Sequence, residues 1–190
     1  MKSKAIVAAA AFSLAGAVVA FAHGGATGIV KERMEAMESM GDTMKALKPM
    51  MQGRVAYDAD TVRSGARSIR DHAAQIDGLF PEGSDGEPSE ARPEVWTERA
   101  DFTALAERLE VLASGLEAAA DNGIAKSDRQ GMMMGVGQGM MMGGGQGMMM
   151  GGGAPLPDLA HLAEMPASGV FAMVAQACSS CHSRYRMEDE

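Results

Sequence analysis

Residues 177–190 read "ACSSCHSRYRMEDE" and hold both cysteines of the 190-residue chain. Cys178 and Cys181 are three apart, and His182 follows directly. A step of three or four is the step of one helix face, and residues 167–187 keep it through Phe171, Val174, Cys178, Cys181 and Tyr185. Both thiols therefore belong to an apolar stripe. Three upstream segments carry the same rhythm. Residues 28–51 show Val30, Arg33, Met37, Met40/Gly41, Met44, Leu47 and Met51 before Gly53 stops the pattern. Residues 58–79, with Asp58 or Asp60 as N-cap, show Val62, Ala66, Ile69, Ala73, Ile76 and Phe80. Residues 94–121 show Val95, Phe102, Leu105, Leu109, Leu112 and Leu116, ended by Asn122 and Gly123. No stretch alternates with period two. The expected fold is all-α, an antiparallel four-helix bundle.

The connections differ in kind. "FPEGSDGEPSEARPEV", residues 80–95, has too much proline and glycine to continue a helix. The span 123–166 is longer and contains "GMMMGVGQGMMMGGGQGMMMGGG", an eight-residue unit repeated twice with a third copy begun. Glycine at this density opposes helix, so the span is expected to be a flexible Met/Gly-rich insertion before the last helix. Residues 1–22, "MKSKAIVAAAAFSLAGAVVAFA", pair Lys2 and Lys4 with an apolar run and an A-x-A ending. That is the pattern of a cleaved signal peptide, which predicts a mature domain over 23–190 in the periplasm. The formal charge is -8, or -10 without Lys2 and Lys4. An acidic surface disfavours nucleic acid and anionic membrane as partners and suits basic proteins. Aromatic residues are only 4% of the chain, so Ala, Leu, Val, Ile and Met must build the core. That core is thin unless a large apolar body completes it.

"CSSCH" supplies a candidate for that body. C-x-x-C-H is the attachment pattern of a c-type haem. Two thiols one turn apart can each add to a porphyrin vinyl group, and the adjacent imidazole reaches the iron from the same side. Cys178 and Cys181 are thus the expected covalent tethers and His182 the proximal iron ligand. A redox-active or structural disulfide and a zinc site are the competing readings. A thioredoxin-like dithiol wants a βαβ context that is absent, and His23, His72 and His161 show no paired spacing for zinc.

A haem motif on the last helix of a four-helix bundle resembles the class II cytochromes c, the family of cytochrome c′ and cytochrome c-556. "CSSCHSRYR" is similar to the family's C-x-x-C-H-x-x-[FY]-R ending, with Tyr185 in the usual Phe position and Arg186 retained. "LFPEGS…ARPEVWTERADF", including Trp96, resembles its connection between second and third helices. "RMEAMESMGDTMKAL" resembles its first helix. The resemblance implies that Met37 points at the distal side of the iron. There a methionine either ligates, giving a low-spin electron carrier, or merely packs, leaving a site for nitric oxide or carbon monoxide. Met34 or Met40 would need a rotated helix to take that place. It also implies that Arg33 pairs with a haem propionate, where the residue pattern alone allows a surface arginine whose stem covers apolar area. Arg186 would tune the proximal side or cap the helix end.

The resemblance says nothing about the repeat. Its nine methionines are soft thioether ligands suited to Cu(I) in an oxidising compartment. A tolerated loop insertion and an oxidant scavenger are the alternatives. After cleavage, His23 would present an amine and an imidazole together, a weak copper chelate at most. The expectation is a periplasmic single-electron carrier that is not an enzyme, with haem c on Cys178, Cys181, His182 and Met37. Its expected partners are periplasmic redox proteins, with a homodimer as a further option.

Overall fold

The computed structural model describes residues 25–125 and 155–187. The leader, His23 and the methionine repeat lie outside the described residues. Six helices occur in chain order: α1 Gly28–Met51, α2 Ala59–Ala73, α3 Glu94–Thr97, α4 Arg99–Ala118, α5 Leu159–Glu164 and α6 Ala167–Tyr185. The four long ones, α1, α2, α4 and α6, form the bundle. Among the described residues there is no strand, only one isolated bridge between Ala91 and Arg186.

Helix α2 follows its sequence pattern closely. Asp58 accepts a hydrogen bond from the Thr61 amide at 2.6 Å, satisfying one of the free donors of the first turn. Val62, Ala66, Ile69 and Ala73 are all buried, as their spacing predicts. Gly65 lets α1 approach closely: a Cβ built there would lie 3.0 Å from Leu47 Cδ1. On the other flank α2 packs along α4, and α4 in turn packs along α6. Leu112, Ala113 and Leu116 are essentially inaccessible there, as are Val170 and Val174.

Three departures from the expected helices have local causes. The second helix stops at Ala73 and a 3₁₀ turn, Asp77–Leu79, carries the chain to Phe80. The third is broken at Glu98, whose φ of -117° and ψ of 39° are not helical. The break frees Arg99 to donate to the Phe80 carbonyl at 2.8 Å, while the Trp96 indole donates to the Pro81 carbonyl at 3.0 Å. Finally, α5 forms inside the span expected to be loop. Its Asp158 accepts from the Ala160 amide at 3.0 Å, and Leu162 is buried against Gly115 of α4. A Cβ on Gly115 would come within 2.5 Å of Leu162 Cδ1, so that packing requires glycine.

Helices α1 and α6 touch each other far less than the other neighbouring pairs do. The connector 80–92 closes one end of the space between them. Its backbone is tied to the end of α6 by the Arg92 amide donating to the Tyr185 carbonyl at 2.9 Å and the Met187 amide donating to Glu90 at 2.8 Å.

Candidate functional site

The space between α1 and α6 is a cavity of about 430 Å³. Helix α1 contributes Arg33, Met34, Met37 and Gly41 to its lining, α6 contributes Cys181, His182 and Tyr185, and Arg186 follows just past the end of α6. Phe80, Val95 and Phe102 supply an apolar wall. Residues thus converge from 33 to 186, and every expected site residue except Cys178 lines the cavity directly. Cys178 sits one turn before Cys181, partly buried against the core.

The two thiols carry no bond to each other. Burial pushes both thiol pKa values up, Cys181 to about 11 with help from the neighbouring Cys178. A dithiol built for exchange needs the opposite, a thiolate favoured at neutral pH. The raised values weigh against a dithiol built for exchange. His182 stands at the cavity rim with its side chain reaching solvent. Desolvation on its protein side, and then the Arg186 charge, push its pKa down, so the ring is neutral at pH 7 with a lone pair to offer. Among the described residues no cluster of three or more His, Cys, Asp or Glu could hold a metal ion, so zinc finds no further ligands there. His72 instead meets Ser39 Oγ at 3.1 Å across the α1–α2 contact, and His161 is exposed on α5.

The methionines of α1 divide between two environments. Met40 is buried in the core, whereas Met34 and Met37 both line the cavity. Met34 therefore reaches it without the rotated helix that the sequence reading required, because the void spans more than one residue width. Met37 also packs against the core. Gly41, one turn on, faces open space: a Cβ built there meets nothing within 4 Å.

Arg33 is the strongest sign of what the cavity takes. It is only 4% exposed, and its guanidinium lies 4.4 Å from the centre of the Phe80 ring. Nη2 donates to the Ser84 carbonyl at 2.7 Å, but Nη1 has no partner. Burial pulls its pKa below the ordinary arginine value. A buried guanidinium with a free donor is costly unless an anion completes it. The surface-arginine alternative is thus excluded by burial. Tyr185 Oη is likewise buried, lines the cavity and lacks a partner. The remaining buried side-chain polar atom without a hydrogen bond among the described residues, Glu94 Oε2, lies 3.5 Å from Arg92 Nε and belongs to a residue outside the lining. An apolar body bearing carboxylates, anchored by thiols and a neutral imidazole, fits these groups. Haem has that composition.

Sequence reasoning missed the Ser84 carbonyl as the partner of Arg33 and the open space beside Gly41. It also missed the pairing of Arg186 with Glu90 at 2.7 Å. The first two have no sequence signature, since a carbonyl and a void belong to no residue type.

A four-helix bundle with a C-x-x-C-H motif beside an apolar cavity defines a class, the c-type haem bundles. Comparison with known proteins narrows it. Residues 28–139 match the family model described as Cytochrome C′. Cytochrome c-556 of Agrobacterium fabrum is 35% identical over 111 residues, covering 57% of this chain and 71% of that protein. Cytochrome c′ of Rhodopseudomonas palustris is 26% identical over 92 residues, covering 48% of this chain and 63% of the relative. A nitric oxide complex of a cytochrome c prime variant from Alcaligenes xylosoxidans superposes with a TM-score of 0.57. That likeness spans 84% of this chain and 94% of that one at 23% identity, and it bears on the fold. The chain belongs to the cytochrome c′ family of class II cytochromes c, whose members carry covalent haem c. The family match ends before residue 178, so the attachment motif is separate evidence for the same group.

Proposed function

We propose that this haem protein is a periplasmic single-electron carrier in which Cys178 and Cys181 would tether haem and His182 and Met37 would ligate its iron. The observation that supports it best is the meeting of Met37 on α1 with Cys181 and His182 on α6 around one cavity. Bound haem supplies a one-electron iron couple. The chain's own residues do the rest. His182 offers its neutral nitrogen from α6, and Met37 offers a soft thioether that favours the ferrous state and raises the potential. Arg33 offsets the carboxylate charge, and Phe80, Val95 and Phe102 exclude water. The protein moves electrons and turns over no substrate in this reading. The leader-like residues 1–22 support export, and among the described residues no helix is long and apolar enough to cross a membrane. The acidic surface suits small basic redox proteins as partners.

A second reading is suggested by the nitric oxide bound in the Alcaligenes structure, whose fold this chain shares. There Met37 packs without ligating, and a diatomic gas binds on its side of the iron. One set of absorption spectra separates the two. The carrier predicts a low-spin ferric spectrum with a sulfur-to-iron charge-transfer band, no carbon monoxide shift at equilibrium, and loss of the band in Met37→Ala. A high-spin ferric spectrum with a ready carbon monoxide complex at neutral pH would reverse the order of the two readings.

A further inference from the structure

The two orphaned donors of the cavity lie at opposite ends of one aromatic wall. The Arg33 guanidinium stacks on Phe80, and Phe80 meets Phe102 edge-on at 4.9 Å between centroids. Phe102 meets Tyr185 edge-on at 5.2 Å. The wall is rigid by packing, since all three rings are buried. Tyr185 is 4% exposed, its hydroxyl is sealed from solvent, and no group among the described residues satisfies it. A buried hydroxyl without a partner is destabilising, so its position implies an acceptor not supplied by the described residues.

Haem carries its vinyl groups and its propionates on opposite edges. Tyr185 lies one turn beyond Cys181 on α6 and lines the same cavity as Arg33. A porphyrin held at the cysteines and His182 would bring its carboxylates into that cavity, and a carboxylate is the acceptor that a buried phenol lacks. We propose that the Tyr185 hydroxyl donates a hydrogen bond to a propionate of the bound haem, acting with Arg33 as a positioning pair for the edge opposite the thioethers. The inference rests on the haem reading above. Burial also pushes the phenol pKa up to about 12, which keeps the hydroxyl protonated as a donor.

The test uses purified haem-loaded protein, wild type and Tyr185→Phe, with covalent haem first confirmed by intact mass. A wild type without covalent haem overturns the haem reading itself and this inference with it. Given covalent haem, resonance Raman spectra are expected to show the propionate bending modes shifted in Tyr185→Phe, with the spin-state marker bands unmoved. In wild type the same modes are expected to shift in deuterium oxide, and by less in the variant. Superimposable propionate modes in the two proteins overturn the proposal, as does a change confined to the spin-state bands. A wild type whose modes ignore deuterium overturns it without recourse to the variant.

Discussion

The two sides of this bundle are built on different terms. Between α2 and α4 the interior is apolar and closed to solvent: Val62, Ala66, Leu112, Ala113 and Leu116 are at most 1% exposed. Its rim is closed by charge, with Glu117 accepting from Arg67 at 2.8 Å and pairing with Arg70, and Arg63 holding Asp121 at 2.8 Å. Between α1 and α6 the chain leaves a cavity and two buried donors without partners. A protein interior normally packs near crystal density and pairs its buried polar groups. Among the described residues the first side leaves no buried side-chain polar atom without a hydrogen bond and the second leaves two, in the same small domain. The difference teaches where the chain expects material it does not itself supply.

Changes that strike the incomplete side at its tethers are the most damaging. The double substitution Cys178→Ser and Cys181→Ser should abolish covalent haem entirely, as read by intact mass and haem staining of denaturing gels. Retained covalent haem would end the tether assignment. On the complete side, Leu112→Ala removes a 1% exposed side chain and should cost about 2–5 kcal/mol in urea unfolding, leaving the haem spectrum in place. Arg33→Leu tests the boundary between the two sides. It should cost about 1.5–3 kcal/mol in the haem-loaded protein through loss of charged hydrogen bonds. A stability equal to wild type would mean that no anion sits at Nη1. The smallest effect belongs to the charged rim. Glu117→Gln should cost no more than about 1 kcal/mol and should lose even that in high salt, because surface pairs are screened. A larger loss would show that the rim, and not the apolar interior, holds α2 against α4.

Legibility followed the same division. Helix α2 was readable almost residue by residue, because a half-buried helix against complete neighbours obeys its 3–4 period. Helix α1 was readable only as a helix. Residues three apart differ by roughly 60° around the axis. Met34, Met37 and Met40 therefore fan across one broad sector, and only the shape of the void decides which of them face it. Helix α5 was missed because the glycine-rich repeat dominated the composition of its span. The site's pairing of Arg33 with Ser84 joins residues 51 apart, through a backbone carbonyl that carries no sequence signal.

By itself the sequence determined the helical class, the boundaries of α1, the buried stripe of α2 and the C-x-x-C-H motif of α6. Each of these is a local property, written in spacing along one segment. The tertiary structure decided that Met37 shares a cavity with Cys181 and His182, that Arg33 is buried with a free donor, and that the Tyr185 hydroxyl has no partner among the described residues. Those facts depend on gaps between segments, and a gap has no residue to announce it.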